Sequence, residues 1–431
     1  MDQSIRGVVP DTGLIKPKPT LFQQPLWMLI AAFGAYFCMY GFRRPYTAAT
    51  YSDAKFWGFE YKFLLVIAQT IGYVSAKWLG IKIIAEVKPA NRIKMLLGLI
   101  IFAESMLLLF ALIPRPWNIV CLLLNGLSLG AVFGLVLGFL EGRRLSEALI
   151  AGLCASFIVS DGVSKSVGKF LLDQQVSENW MPFCAGLLFL VPTLLFAFML
   201  QQVQPPSQRD IAQRSARTAM TGAARRAFFL KYGPGLSAII LIYLLVTLLR
   251  SVRADFAPEL WKGLGYKQTP ALFTQSELIV SFGVVIVNGL VIFIGNHFKA
   301  FRISLLTCLG GFALLVLSVW LLNNNSLGKF SFMVLVGLGV YIPYVAVHTT
   351  LFERLIAATK EKANIGFLMY MADSVGYTGY VILVLLKYFV PPGDSILFLF
   401  LRICTVLGIA GALILLFCNL YFGKKLRSIL S

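Results

Sequence analysis

Residues 25–49, PLWMLIAAFGAYFCMYGFRRPYTAA, read as a membrane-spanning helix that closes on two arginines. No charge interrupts residues 25–42, and a bilayer asks for about 20 apolar residues per helix. Residues 233–253, GPGLSAIILIYLLVTLLRSVR, repeat the plan, with Arg250 and Arg253 near the far end. The surrounding chain is of the same kind: 58% of its 431 residues are hydrophobic and 13% charged. A soluble core cannot use that much apolar surface, whereas a membrane requires it. Apolar runs at 25–49, 61–84, 95–113, 119–140, 148–172, 182–202, 233–253, 273–294, 303–323, 331–352, 364–388 and 395–421 give twelve spans. No room is left for a large soluble domain.

Residues 1–24 are polar and carry Arg6, Lys16 and Lys18, and no small-residue cleavage site follows the first apolar run, so that run is expected to be a retained span rather than a signal peptide. The seven cysteines fall singly inside apolar runs. Neither a disulfide scaffold nor a zinc site is expected, and no cofactor is implied. The net charge of +19 sits mainly in the connections between spans, which argues against nucleic acid as a partner and for a lipid bilayer. Alternate connections hold most of the basic residues. The poorer side has Lys55, Arg115, Lys262, Lys267, Lys329 and Lys387 outside the helix ends. The expectation is a multi-pass protein of a bacterial inner (cytoplasmic) membrane with both termini cytoplasmic.

Residues 203–232, QVQPPSQRDIAQRSARTAMTGAARRAFFLK, form the longest polar connection and follow the sixth span. They read as a basic cytoplasmic linker between a half at 1–202 and a half at 233–431. Internal similarity agrees. At a constant offset of 212, Glu141 matches Glu353, Ala151 matches Ala363, Asp161 matches Asp373 and Val163 matches Val375. The expected fold class is all-α integral membrane: twelve helices in two six-helix pseudo-symmetric halves, the major facilitator plan.

Ionisable side chains inside apolar runs are the informative ones, because each costs roughly 2.5–3.5 kcal/mol at a span centre and so faces a partner or a cavity. Arg43 and Arg250 stand out. Either they snorkel to the headgroups, or both helices continue past them and present two guanidinium forks to one site, a geometry suited to phosphate or carboxylate. Tyr36 and Tyr40 share a face with Arg43, and Tyr73 is four residues from Lys77. Asp161 and Lys165 form an i, i+4 pair that reads as an ion pair or as substrate contact. Asp373, with no cation on its own helix, is a candidate proton carrier, as is Glu104. Glu141 and Glu353 sit at cytoplasmic ends beside arginines, where gate pairs are expected. His348 reads as a core histidine.

These segments resemble the organophosphate:phosphate antiporter branch of the major facilitator superfamily. The similar stretches are AYFCMYGFRRPY in span 1, GYVSAKWLGIKIIAEVKPANR in span 2 and YLLVTLLRSVRADFAPELW in span 7. The resemblance implies that Arg43 and Arg250 bind phosphate, with Lys77, Tyr36, Tyr40 and Tyr73 lining the same cavity and Glu277 near a cavity carboxylate of span 8. Asp161 stands where that branch has histidine, which points to an uncharacterised bacterial offshoot with a different anion. The function expected is secondary active transport of a small organic anion, an organophosphate or phosphate, by a monomer, with phosphate or a proton as coupling ion. Alternatives are a proton-coupled symporter of a sugar or peptide, and a ligand receptor without net transport. No hydrolytic constellation is present, so an enzyme is not expected.

Overall fold

The computed structural model describes residues 25–51, 54–87, 89–140, 146–204, 222–266, 270–359, 365–386 and 395–430. Glu141 and most of the expected linker, residues 205–221, lie outside them. Within hydrocarbon every backbone polar group must be bonded internally, so apolar segments become helices. Among the described residues are ten helices long and apolar enough to cross a membrane and two shorter apolar ones, Pro25–Gly41 and Met371–Leu385. The chain is a multi-pass α-helical membrane protein.

The first group of helices is α1 (Pro25–Gly41), α2 (Tyr61–Glu86), α3 (Arg92–Leu112), α4 (Ile119–Leu129), α5 (Val132–Leu140), α6 (Ser146–Asp173) and α7 (Met181–Gln201). Here α1 packs on α5, α6 and α7, while α4 packs on α2 and α3. The second group is α8 (Gly222–Asp255), α9 (Ala257–Gly263), α10 (Pro270–Ile292), α11 (His297–Asn323), α12 (Lys329–Ala346), α13 (Phe352–Thr359), α14 (Ile365–Leu386) and α15 (Ile396–Leu430). In it α8 packs on α12, α14 and α15, and α11 on α12 and α15. The groups meet chiefly where α6 lies on α10 and where α2 lies on α14.

Span 1 is shorter than expected. Helix α1 stops at Gly41, residues 42–44 turn, and Pro45 opens a short 3₁₀ turn, Pro45–Ala48. Proline has no N–H to continue the ladder, and the break leaves carbonyls that need donors. Asn125 supplies Phe42 at 3.1 Å, Gln69 supplies Arg43 at 3.0 Å, and the Thr47 hydroxyl supplies Arg44 at 2.7 Å. The arginines of span 1 therefore sit in a turn, not on a continuing helix, whereas α8 does run past Arg250. A two-residue hairpin follows, strand β1 (Lys55–Phe56) against β2 (Phe59–Glu60). Trp57 and Gly58 both have positive φ, 53° and 83°, as a tight hairpin with right-handed twist demands.

Close packing fixes α2. A Cβ at Gly126 would lie 2.1 Å from the Gln69 carbonyl oxygen, and one at Gly72 would lie 1.9 Å from that of Leu123. Gly126 and Gly130 form the small-xxx-small spacing that lets membrane helices approach so closely. This contact sets the direction in which α2 presents Tyr73 and Lys77. Gly126→Leu is expected to destabilise the protein by more than the roughly 1–3 kcal/mol of ordinary overpacking, since backbone is in the way. Gly98→Ala, which meets nothing within 4 Å, should leave thermal unfolding in detergent unchanged.

Candidate functional site

The centre of the bundle, between the two groups, holds ten buried charged side chains among the described residues. The carboxylates are Asp161, Asp255, Glu277 and Asp373, and the cations are Arg43, Arg44, Lys77, Lys165, Arg250 and Arg253. Each carboxylate has a cation. Asp161 binds Lys165 through one oxygen and lies 3.2 Å from Arg44 Nε through the other. Arg44 Nη1 also binds Asp255 of α8, so Arg44 joins the two groups. The second oxygen of Asp255 accepts from the Tyr380 hydroxyl at 2.7 Å. Arg253 donates to Glu277 at 2.6 Å and to the Met333 carbonyl at 3.2 Å. Lys77 Nζ reaches Asp373 at 2.9 Å, again across the groups.

Arg43 and Arg250 remain. Among the described residues neither has a carboxylate partner. Arg43 instead lies over the Tyr73 ring, its Cζ 3.7 Å from the centroid, with Tyr40 at 5.8 Å. Its Nε and Nη1 have no hydrogen-bond acceptor. Arg250 donates from Nη2 to the Tyr377 hydroxyl at 2.8 Å, faces the Tyr344 ring at 4.8 Å, and leaves Nε without an acceptor. The Tyr73 and Tyr377 rings are 5.1 Å apart, so the arginines are linked as Arg43–Tyr73–Tyr377–Arg250. Tyr40 stands within electrostatic range of both. Tyr36 packs on Tyr40 and Phe133 with centroids at 5.7 and 5.3 Å. Arg43, Arg250, Lys77, Tyr36, Tyr40 and Tyr73 thus share one cluster.

Other residues named from sequence are placed differently. Glu277 is occupied by Arg253, beside Gly162 of α6. Glu353 lies in the first turn of α13 and is half-buried, and its partner in the sequence repeat, Glu141, is not among the described residues. Glu104 is buried against Gly186 of α7 with neither carboxylate oxygen bonded.

Sequence reasoning did not nominate Asp255, Tyr344, Tyr377, Tyr380, Gln69 or Asn125. Tyr341, Tyr344 and His348 fall at helical spacing on one face, as do Asp373, Tyr377 and Tyr380. Polar amides inside apolar runs would have pointed to Gln69 and Asn125. At the end where α1 finishes, Lys62 binds Glu259 of α9 at 2.6 Å and the Thr47 carbonyl at 3.0 Å, tying the groups together a third time.

Residues 45–425 match a family described as "Family of unknown function (DUF5690)". The chain belongs to that family. No curated protein matches this DUF5690 member. Among solved structures it is similar to one described as a D-xylose-proton symporter, with a TM-score of 0.61 at 12% identity, over 92% of this chain and 97% of that one. It is also similar to a point mutant of the nucleoside transporter NupG, with a TM-score of 0.59 at 11% identity, over 91% and 99%. At such identities the likeness establishes the fold, which is that of major facilitator transporters.

Breaking a buried pair from one side leaves an uncompensated charge and typically costs about 3–5 kcal/mol. Glu277→Leu is therefore expected to lower stability strongly by stranding Arg253. The double variant Arg253→Met with Glu277→Leu should recover most of the loss in detergent unfolding.

Proposed function

We propose that this protein is a secondary active transporter of a small organic anion, with organophosphates and phosphate the favoured class, working by alternating access. The observation that carries the reading is the pair of buried guanidiniums, Arg43 and Arg250, which have no carboxylate partner among the described residues and are joined through Tyr73 and Tyr377. The effective penalty for burying an ion in a protein interior is several kcal/mol. A guanidinium on a tyrosine face regains about 2 kcal/mol, which does not close that gap. An anion bound between both forks would supply the missing acceptors and cancel their repulsion. Lys77 and the tyrosines would complete its surroundings.

In this reading the halves at 1–202 and 233–431 rock about the site, joined by the linker at 203–232. With the termini cytoplasmic, the Arg44–Asp255 and Lys62–Glu259 bonds would close the outer side. Each would break as that side opens. A neutral sugar or nucleoside as substrate would leave the charge of Arg43 and Arg250 without a purpose, which is why the anion is preferred over a sugar symporter.

Thermal-shift titration tests the assignment with inorganic phosphate, sugar phosphates, small carboxylates and neutral sugars as probes. At least one anion is expected to raise the melting temperature. Arg43→Ala and Arg250→Ala should each weaken that anion about 30-fold or more, the factor matching about 2 kcal/mol for a buried charge-assisted contact. Stabilisation by neutral sugars alone, or anion shifts unchanged in both variants, would falsify the proposal.

A further inference from the structure

His348 lies in a π-helical turn, Val347–Leu351, between α12 and α13; the turn begins four residues after Pro343. Such turns are frequent at functional sites because they re-aim a side chain at a cost in helix geometry. Here His348 Nδ1 lies 3.0 Å from the Tyr344 carbonyl oxygen. A carbonyl only accepts, so Nδ1 carries the hydrogen, and a neutral imidazole then presents a lone pair at Nε2. That nitrogen is 3.4 Å from the Tyr243 hydroxyl oxygen and 3.6 Å from Asp373 Oδ1. The Tyr243 proton is already committed to Asp373. A basic nitrogen is therefore buried against a carboxylate with no hydrogen between them.

The same carboxylate holds Lys77 on its other oxygen. Titratable groups close to Asp373 are Tyr73 and Lys77 from α2, Cys154 from α6, Tyr243 from α8, and Tyr344 and His348 from the tenth span. In this set Asp373 carries the negative charge, and Lys77 is the cation it holds from the first group.

We infer that His348 and Asp373 form a proton-binding site that couples anion transport to a proton, with Lys77 as its counter-cation. The inference rests on the transporter reading above and adds its coupling ion. A proton arriving at Nε2 forms imidazolium, which binds Asp373 in competition with Lys77. No covalent bond other than N–H is made; the imidazolium meets Oδ1, which Tyr243 also bonds, while Lys77 on Oδ2 holds a carboxylate whose charge it now shares. Because Lys77 sits on α2 and Asp373 on α14, protonation loosens an attachment between the two groups. It also takes the cluster from neutral to one positive charge. Lys77 Nζ lies 5.3 Å from the centre of the Tyr73 ring, which Arg43 covers from 3.7 Å. The added charge thus falls next to the anion site, so proton and anion favour each other and travel in the same direction. Phosphate exchange needs no such site.

The test uses the full chain in proteoliposomes on a solid-supported membrane, with the proton alone as ligand and no transportable anion added. An acid jump is expected to give a transient charge displacement in the wild type. Asp373→Asn should abolish it. His348→Gln should abolish it or move it measurably towards acid, because an amide side chain has no basic nitrogen to take the proton. Should Asp373→Asn fail to fold, His348→Gln decides alone. A wild type without a transient, or a His348→Gln transient equal to the wild type, overturns the inference. The readout contains no anion, so it stands or falls independently of whether Arg43 and Arg250 bind one.

Discussion

Ion pairing in a low-dielectric interior is the constraint on which this structure turns. Among the described residues, four carboxylates buried at the bundle centre bind four of the six cations there, and two of those bonds, Arg44–Asp255 and Lys77–Asp373, run from one group to the other. The bonds both offset the desolvation cost of the charges and hold the groups in register. What they leave over is the charge on Arg43 and Arg250. Structure and proposed function are connected at that remainder: a protein whose other described central charges are paired keeps two guanidiniums against tyrosine rings.

The break in span 1 is what separates Arg43 from Arg44. On a continuous helix adjacent residues point about 100° apart, and one of them would turn away from the centre. The turn after Gly41 lets both point inward with different partners, Arg43 to Tyr73 and Arg44 to two aspartates. Its cost is met by hydrogen bonds from side chains. Asn125, Gln69 and Thr47 bond the carbonyls that the lost ladder exposes, and Gly72 and Gly126 bring α2 and α4 close enough for Gln69 and Asn125 to meet at 3.0 Å.

Most of the fold was legible in the sequence because a bilayer imposes it: long apolar runs must be helices, and breaks between them must be connections. The internal ends were not legible. Pro45 marks a bend in span 1 but not where α1 stops, the apolar run continues through Gly130 between α4 and α5, and VHTTL at 347–351 carries no signal of a π turn. The site was legible to the extent that a charge in an apolar run is anomalous by itself, which singles out Arg43, Lys77, Asp161, Arg250 and Asp373. Partnership was not. The pairing of Asp373 with Lys77 spans 296 residues, and nothing local distinguishes it from a carboxyl awaiting a proton. Glu277 shows the same limit. By resemblance it fell near a cavity carboxylate, without identical spacing, and Arg253 occupies it. Tyrosines such as Tyr344 and Tyr377 escape notice because an aromatic in an apolar run is ordinary.

The likeness to a xylose symporter and a nucleoside transporter is one of fold, and the same helices serve many substrates. Charge at the centre is the discriminating property. The most direct measurement is an experimental structure determined with an electron-dense phosphate mimic such as tungstate. The account predicts one density peak within bonding distance of both Arg43 and Arg250. A peak held elsewhere, or none while both guanidiniums keep to their tyrosines, would contradict it.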